Sequence, residues 1–350
     1  MNVNDIINEN FKIDFNTLFF EITSVCNSNC THCYNSSFGK NYYLELGMIE
    51  KAVNSLDNDK LKNVILSGGE ALLHPQIWEI IEYLYKKGIG ISILSNGYLL
   101  NEFIIDRLKV FDVHIQISLD GADKQINDMI REDGSFEKAY NALSLLKQLE
   151  HNRKTSINTV INYHNYNTIE NIYNLAKYFD VLELGFNFIQ LQGSASSNGY
   201  KGLDTEIKTI LNELEKLYNK NDIVKRIIKP SLSCRFCNPI NNIIFLTPLI
   251  SYTGNVYACE AFNNDMFSLG NINHNALSEI LSSMKLKQIL MILNLRKYYM
   301  GKCRSCFVKD ICNGGCPAIS VNQTNNIFDN GNGCDLYKNF SVYELERKKV

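Results

Sequence analysis

The chain has 350 residues, of which 45% are hydrophobic and 21% are charged, and its formal net charge is −2 at pH 7. This length predicts a full hydrophobic core, in one large domain with an appendage. A near-neutral charge without a long basic stripe argues against nucleic acid as a partner, because phosphate binding depends on Lys and Arg. No signal peptide is recognisable and no run approaches the roughly 20 apolar residues that span a bilayer, so we expect a cytoplasmic protein without membrane contact.

Strand-like apolar runs alternate with segments of helical periodicity, which is the pattern of a parallel α/β sheet. Strands are predicted near residues 17–23, 63–67, 90–95, 112–119, 155–161 and 182–190. Helices are predicted at 47–57, 75–87, 101–109, 135–149, 166–179 and 204–219. A closed (β/α)8 barrel takes about 250 residues, so these six βα units predict an open, partial barrel with its active groups at the carboxyl ends of the strands.

The first predicted strand is followed by CNSNCTHCY, in which Cys26, Cys30 and Cys33 have the spacing C-x3-C-x2-C. Closely spaced cysteines in a cytoplasmic protein are more often metal ligands than disulfide partners. A four-iron cluster normally takes four thiolates, so three of them would leave one iron open for chemistry. The alternatives are a zinc site completed by His32 or by a distant ligand, and three unrelated thiols in a loop.

The second predicted strand ends in SGGEALLHP, which contains Gly68, Gly69 and Glu70. Glycines let a ligand approach the backbone closely, and a carboxylate beside them can pair with an ammonium group. The two motifs together resemble the radical S-adenosylmethionine (radical SAM) enzymes, whose three cysteines bind a [4Fe–4S] cluster and are followed by an aromatic residue, here Tyr34. The resemblance implies that the Gly-Gly-Glu segment runs beside the methionyl amino group of SAM.

The resemblance also implies cofactor contacts at the ends of later strands. Ser118 in ISLDG and Arg131 in MIRED match positions that contact the ribose and the methionyl carboxylate in related enzymes. Asn96 in LSNG is expected to support SAM from behind. Arg131 has the alternative of a solvated charge at a helix end, and Asp120 with Gly121 has the alternative of a strand-end turn, which the Asp-Gly pair favours.

The last third of the chain contains the remaining eight of the eleven cysteines. Their spacing, which includes G-x4-C at Gly254 and C-x2-C-x5-C-x3-C from Cys303, resembles the SPASM extension of radical SAM enzymes. The ligands of SPASM proteins interleave, which implies one auxiliary [4Fe–4S] cluster held by Cys234, Cys237, Cys259 and Cys316. It implies another held by Cys303, Cys306, Cys312 and Cys334.

Two questions about these cysteines stay open. Zinc ribbons are the alternative for C-x2-C pairs, although three sets of ligands would account for every cysteine in the chain. Cys234 and Cys237 lie further before Gly254 than the first SPASM ligand usually does, which leaves open which of the two binds.

The predicted fold class is therefore α/β, with a partial (β/α)6 TIM-type barrel and a C-terminal SPASM domain that binds two auxiliary iron–sulfur clusters. We place an N-terminal extension at 1–16, the barrel at 17–220 and the SPASM domain at 221–350. The expected cofactors are SAM and three [4Fe–4S] clusters, one of which binds SAM.

The resemblance implies that an electron from the first cluster cleaves SAM to a 5′-deoxyadenosyl radical, which removes hydrogen from an unactivated C–H bond. SPASM enzymes mostly modify peptides or proteins, so the expected activity is a crosslink, a thioether or a residue oxidation in a ribosomally synthesised peptide. A flavodoxin or ferredoxin would supply the electron. Only about 16 residues precede the first strand, so a separate leader-recognition protein, or direct recognition by the barrel, is expected.

Glu260, directly after Cys259, matches the position of a catalytic carboxylate in sulfatase-maturating relatives. A solvated or cluster-supporting glutamate is the alternative there. The alternative functions are a sulfatase-maturating, formylglycine-forming enzyme or a radical SAM dehydrogenase of a small alcohol. A further alternative is a non-enzymatic iron–sulfur electron carrier or a zinc-structural protein.

Overall fold

The chain forms two compact units. A computed structural model describes residues 12–35, 41–57, 60–203, 205–220, 222–227, 243–262, 264–331 and 334–347. The first unit, here called the sheet unit, comprises Phe20–Leu46 and Asn63–Ile228. The second, the cysteine-rich unit, comprises Met1–Phe19, Gly47–Lys62 and Lys229–Val350. The cysteine-rich unit thus draws on three separate segments, whereas the predicted domain boundaries follow the chain in order.

The sheet unit is organised around strands that follow one another in the order β2-β3-β4-β5-β6-β7-β8. These strands are β2 (Thr17–Thr23), β3 (Asn63–Gly68), β4 (Gly90–Ser95), β5 (His114–Ser118), β6 (Thr155–Ile161), β7 (Glu183–Phe188) and β8 (Val224–Ile227). All pairs from β3 to β8 are parallel. Because consecutive strands are neighbours and parallel, their carboxyl ends meet along one edge of the sheet.

Helices connect these strands. They are α2 (Ile77–Lys86), α3 (Glu102–Val110), α4 (Lys124–Ile130), α5 (Ser135–Gln148), α6 (Ile169–Phe179), α7 (Ser194–Ser197) and α8 (Ile207–Asn219), and α1 (Leu46–Asn54) begins at the end of the first sheet-unit segment. In α2 the buried residues Ile77, Ile80, Ile81 and Leu84 recur at helical spacing, which gives the helix one apolar face. Asn101 caps α3 by accepting a hydrogen bond from the backbone N–H of Ile104.

The two faces of the sheet differ in polarity. Ile115 and Ile117 of β5 are fully buried, and Ile157 of β6 is buried beside them. The alternate positions are polar, and Ser118 at the end of β5 lies opposite Asn158 of β6 in the strand register. Since side chains alternate along a strand, the apolar set packs in the core and the polar set lines the other face.

The cysteine-rich unit combines short strands with short helices. Its strands are β1 (Lys12–Asp14), β9 (Ile243–Phe245), β10 (Leu249–Ile250), β11 (Asn255–Tyr257) and β12 (Gly270–Asn271). Its helices after β12 are α9 (Leu277–Leu281), α10 (Met284–Tyr299), α11 (Gly301–Arg304), α12 (Lys309–Cys312), α13 (Pro317–Thr324) and α14 (Cys334–Arg347). Strand β1 pairs with β9 in parallel, and β10, β11 and β12 form an antiparallel meander.

A buried arginine organises the end of this unit. The Arg296 side chain on α10 donates hydrogen bonds to the carbonyl of Gly315 at 3.2 Å and to the hydroxyl of Ser320 at 2.9 Å. It also donates to the carbonyl of Ile327. Because a buried guanidinium needs hydrogen-bond acceptors, these contacts fix the positions of the segments around α13.

The six predicted strands and six predicted helices are confirmed, with ends within a few residues of those expected. Three described elements of the sheet unit are additional: the short helix α4, which begins after the capping residue Asp123, the short helix α7, and the strand β8, which extends the sheet beyond six strands. None of the described helices combines the length and the apolar content needed to cross a bilayer.

Candidate active site

The three predicted cluster ligands lie in the loop that follows β2. This cysteine loop, defined as residues 26–33, is irregular, and several of its backbone groups find hydrogen-bond partners outside it. The N–H of Thr31 donates to the carbonyl of Ile130 at the end of α4, at 3.0 Å. The carbonyl of Cys33 accepts a hydrogen bond from the N–H of Ser194, at 2.9 Å. Elements far apart in the sequence therefore hold the loop in place.

Side chains complete this support. The Asn96 amide, just after β4, donates to Oδ1 of Asn27 at 2.8 Å. The N–H of Asn29 donates to the carboxylate of Glu132 at 3.0 Å. The sequence predicts that Asn96 supports the SAM site without touching SAM. In the structure its side chain contacts Asn27 of the cysteine loop.

The loop thiols are close enough to influence one another. Burial raises the pKa of Cys33 to about 11, and the neighbouring Cys30 contributes to the rise. Although part of Cys26 is exposed, burial of its thiol also raises its pKa, to about 12. Thiolates are the metal-binding form of cysteine, so binding of a positively charged metal group must release these protons.

The thiolate donor set of the cysteine loop is of the kind that can hold an iron–sulfur cluster. Thiolate ligands select zinc or iron–sulfur centres. Among the described residues, no group of three or more His, Cys, Asp or Glu side chains is arranged around one metal ion. His32 instead points its Nε2 at Asp120, 3.2 Å away. The zinc site completed by His32 is therefore not found in the described part of the chain.

The Gly-Gly-Glu segment runs directly against the start of the cysteine loop. The N–H of Gly69 donates to the carbonyl of Thr23, and the N–H of Glu70 donates to the carbonyl of Val25, both at 2.8 Å. A Cβ atom on Gly69 would overlap the Val25 carbonyl and lie 2.9 Å from the Cβ of Cys26. These glycines are required for close packing between two backbones.

Glu70 is buried, and backbone groups surround its carboxylate. Its oxygens accept hydrogen bonds from the N–H of Asn96 at 2.9 Å and from the N–H of Leu72 at 3.3 Å. Burial raises the pKa of Glu70 to about 7, because it outweighs these hydrogen bonds. The carboxylate is thus near its titration point at neutral pH and would be stabilised by an added cation.

Arg131 is buried beside Cys30. Its side chain is 10% exposed, and its Nη1 lies 3.8 Å from the Cys30 sulfur. Its Nη2 lies 2.8 Å from Oδ2 of Asp120. The alternative of a solvated helix-end charge is therefore wrong: Arg131 follows α4 but turns inward to the cysteine loop.

Asp120 is a site residue that the sequence left ambiguous. It is fully buried at the end of β5, and its Oδ1 accepts a hydrogen bond from the N–H of Val160 at 2.7 Å. Burial alone would raise its pKa, but the charges of Arg131 and His32 hold the pKa at about 2. Its position at the carboxyl end of a central parallel strand was the signal that could have identified it.

Three other predicted site residues occupy different surroundings. Tyr34 is 37% exposed and donates its hydroxyl hydrogen to the carboxylate of Glu21 at 3.2 Å. Ser118 is half-buried on the polar face of β5. Glu260 is exposed in the cysteine-rich unit, directly after Cys259.

The structure brings together the four cysteines assigned to the second auxiliary cluster. Burial raises the pKa of Cys312 to about 11, and the nearby thiols of Cys303 and Cys334 add to the rise. Burial likewise raises the pKa of Cys334, with contributions from Cys303 and Cys306. The side-chain amide of Asn330 lies 3.3 Å from the sulfur of Cys303 and donates to it.

Two of the four cysteines predicted for the other auxiliary cluster lie in the described part of the chain. Cys259 follows β11 and Cys316 precedes α13, and both are half-buried. Cys234 and Cys237 lie outside the described residues. Their pairing with Cys259 and Cys316 stays a prediction.

Comparison with known families agrees with this geometry. A family model of the radical SAM superfamily matches residues 20–176, which begin within β2 and include the cysteine loop, Glu70 and Arg131. A family model described as the SPASM iron–sulfur cluster-binding domain matches residues 244–307. The chain is a radical SAM enzyme with a SPASM domain. Its cofactors are accordingly SAM, a [4Fe–4S] cluster and auxiliary clusters.

Known proteins resemble this radical SAM/SPASM enzyme over most of its length. The mycofactocin maturase MftC of Mycobacterium ulcerans is 28% identical over 86% of this chain and 82% of its own. AlbA of Bacillus subtilis, an antilisterial bacteriocin subtilosin biosynthesis protein, is 24% identical over 93% of this chain and 72% of its own. The structure of native anSMEcpe with bound AdoMet and Kp18Cys peptide superposes with a TM-score of 0.72, at 21% identity over 95% and 98% of the two chains. That likeness confirms the fold.

Gly193, which the sequence did not single out, allows the segment after β7 to pack against the cysteine loop. Its backbone is left-handed, with φ +58°, and a Cβ there would lie 2.6 Å from the carbonyl oxygen of Cys33. We expect Gly193→Ala to lower the free energy of unfolding by about 1–3 kcal/mol beyond the cost of the backbone strain, and to displace Cys33. The reason is that the new Cβ would clash with backbone atoms that cannot move aside locally. Iron content after anaerobic reconstitution and urea unfolding measure both effects.

Gly199→Ala is the matched control for this substitution. Gly199 also has a left-handed backbone, with φ +69°, but a Cβ there meets no atom within 4 Å. The Gly199→Ala variant should lose only the stability that the backbone strain costs, and it should retain its iron. Equal loss of iron in the two variants would contradict the assignment.

The buried carboxyl of Glu70 predicts a pH-dependent stability. Its folded pKa of about 7 lies above the ordinary 4.5, so its stabilising contribution is complete below pH 4.5 and is lost as the pH rises through 7. In cluster-free protein, the free energy of unfolding of the wild type should therefore fall by up to about 3 kcal/mol, relative to that of Glu70→Gln, between pH 4.5 and 8. Urea unfolding of both proteins across this range measures the difference.

Glu82→Gln provides a control of opposite sign. Glu82 is exposed on α2, and the hydrogen bond and charge of Lys86 lower its pKa. The free energy of unfolding of the wild type should rise slightly, relative to that of Glu82→Gln, as the pH rises. If the wild type lost stability with rising pH relative to both Glu70→Gln and Glu82→Gln, the role of burial at Glu70 would be contradicted.

Proposed function

We propose that this radical SAM/SPASM enzyme introduces an oxidative modification into a ribosomally synthesised peptide: a crosslink, a thioether or an oxidised residue. The observation that carries the proposal is similarity over most of the chain to two proteins of peptide biosynthesis. One is named a maturase and the other a bacteriocin biosynthesis protein, and the similarity includes both the sheet unit and the cysteine-rich unit. A peptide-bound structure with the same fold supports a peptide substrate.

When bound, a low-potential cluster with one open iron would supply the electron that cleaves SAM, and SAM would supply the 5′-deoxyadenosyl radical that removes hydrogen from the substrate. In the proposal, Cys26, Cys30 and Cys33 hold that cluster. The residues around them orient the ligand and keep water away from a reactive carbon radical.

Two charged groups at the cysteine loop are suited to the ends of an amino acid. The buried carboxyl of Glu70, with its pKa near 7, would be stabilised in its ionised form by the methionyl ammonium. The Nε of Arg131 is buried and has no hydrogen-bond partner among the described residues. An unpaired buried donor costs free energy, so a carboxylate placed there would be favoured. Gly68, Gly69 and Asn96 would shape the site from the backbone side, and Ser118 would contact the ribose.

The auxiliary clusters are proposed to receive the electron that the substrate radical gives up. Cys303, Cys306, Cys312 and Cys334 would hold one of them, which their mutual effect on pKa supports. Cys234, Cys237, Cys259 and Cys316 would hold the other. Glu260, exposed next to Cys259, is proposed as a catalytic carboxylate.

The proposal also names partners and a compartment. A flavodoxin or ferredoxin would supply the electron, and a separate leader-recognition protein would present the peptide. The nine cysteines in the described part of the chain form no disulfide with one another, which suits a reducing cytoplasm.

Two cysteine variants separate the roles of the clusters. Cys30→Ala should abolish the formation of 5′-deoxyadenosine from SAM and dithionite, because it removes a ligand of the SAM-binding cluster. Cys306→Ala should keep that cleavage and lose peptide modification, because it removes a ligand of an auxiliary cluster. Equal loss of cleavage in both variants would contradict this division.

The wild-type protein provides the reference for these measurements. Anaerobically reconstituted enzyme should contain about twelve irons per chain, since three [4Fe–4S] clusters hold four each. Zinc at the cysteines would favour the structural alternative, and intact clusters without SAM cleavage would favour an electron carrier. Mass spectrometry of a candidate precursor peptide should show the loss of hydrogen, whereas formylglycine in a sulfatase peptide would favour the sulfatase-maturating alternative.

A further inference from the structure

Asp120 is held more firmly than a strand-end turn requires. Its N–H donates a hydrogen bond to the side-chain oxygen of Asn127, at 2.9 Å. Its own carbonyl accepts a hydrogen bond from the side-chain amide of Asn165, at 2.8 Å. Together with the bond from Val160 to Oδ1, these contacts leave the carboxylate one fixed orientation in a fully buried position.

The remaining oxygen of Asp120, Oδ2, links two groups of the cluster site. It lies 2.8 Å from Nη2 of Arg131 and 3.2 Å from Nε2 of His32. The side chains of Arg131 and His32 are 10% and 8% exposed, and that of Asp120 is fully buried. His32 belongs to the cysteine loop, and Arg131 approaches Cys30 from the other side.

A buried charge without a partner is costly, so the carboxylate and the guanidinium constrain each other. Asp120 is the carboxylate that lies within ion-pair distance of Arg131 in the described part of the chain. Without its charge, Arg131 would lose the ion pair that turns it inward, and His32 would lose the carboxylate oxygen that lies 3.2 Å from its Nε2.

We propose that Asp120 is a positioning residue of the SAM and cluster site, which holds Arg131 against Cys30 and holds His32, and with it the cysteine loop, in the ligand-binding shape. This inference deepens the proposed function and rests on it. Asp120 itself need not touch the cofactor, since it acts through its two neighbours. The arrangement resembles the outer groups that orient metal ligands in other centres.

Asp120→Asn tests the inference with little change of shape. The amide can still accept the hydrogen bond from Val160, but the charge that faces Arg131 is gone. We expect the KM for SAM to rise about 10- to 100-fold, because a charge-assisted contact is lost, while iron content is retained. A double variant with Arg131→Gln should raise the KM by less than the product of the two single effects, because Asp120 acts on SAM in part through Arg131. Additive effects would overturn the proposal.

Hydrogen exchange in cluster-free protein gives a readout that does not depend on activity. The amide of Thr31, which donates to Ile130, should exchange about tenfold faster or more in Asp120→Asn than in wild type. His32→Ala removes the link from the loop side and leaves the buried Asp120–Arg131 pair in place, so it should show the same faster exchange even if Asp120→Asn does not fold. Unchanged exchange in the variants that fold would overturn the proposal.

Asp128→Asn is the matched control. Asp128 lies in the same connection between β5 and α5 and accepts hydrogen bonds from Gly134, Ser135 and Phe136 at 2.7–2.9 Å. These hydrogen bonds connect Asp128 to residues outside the cysteine loop. The Asp128→Asn variant should therefore lose stability, but it should keep the wild-type KM for SAM and the wild-type exchange rate of the Thr31 amide. An equal KM rise in this control would overturn a specific role for Asp120.

The outcomes also separate this inference from the proposed function. If wild-type enzyme cleaves SAM and Asp120→Asn keeps a normal KM, the positioning role fails and the proposed function stands. If wild-type enzyme with intact clusters does not cleave SAM, the proposed function fails, and the exchange rates at Thr31 then decide the positioning role alone.

Discussion

The site depends on how an irregular loop is held at the edge of a parallel sheet. Backbone groups of the cysteine loop have few partners within the loop, and buried peptide groups must be paired. The structure meets this constraint with groups that follow β5 and β7, whose carboxyl ends the parallel topology brings together. Ile130 and Glu132 after β5 accept from the N–H groups of Thr31 and Asn29, and Ser194 after β7 donates to the carbonyl of Cys33. The order of the strands is therefore a condition for the geometry of the thiols.

Two buried carboxylates beside this loop have opposite electrostatic character. Glu70 is surrounded by backbone N–H groups, and its burial raises its pKa to about 7. Asp120 is just as buried, but the guanidinium of Arg131 and the imidazole of His32 keep its pKa at about 2. A residue's charge at neutral pH thus follows from its neighbours rather than from its depth. One carboxylate is paired within the protein, while the other is suited to an incoming cation.

Local patterns were sufficient for much of the fold, whereas the ligand set stays a prediction. Apolar periodicity located the strands and helices of the sheet unit, and cysteine spacing singled out the loop thiols and the group around Cys312. Asp120, Arg131 and Gly193 were harder, because their roles depend on partners distant in the sequence. A charge after a helix can face solvent or a thiol, and a glycine in a polar segment gives no sign that a carbonyl such as that of Cys33 lies against it. Strand β8 is short, and its pairing with β7 has no local signature.

The hydrogen bond from Asn198 to the carbonyl of Thr31 joins residues that are 167 positions apart. During synthesis at about 5–20 residues per second, the thiols of the cysteine loop emerge roughly 10–30 s before this partner does. For that interval the cysteine loop lacks this contact, although its partners Asn96 and Ile130 are made earlier. Maturation in the cell must therefore wait for the barrel strands to be made, and the order of folding sets the earliest moment at which the first cluster can be inserted into its finished site.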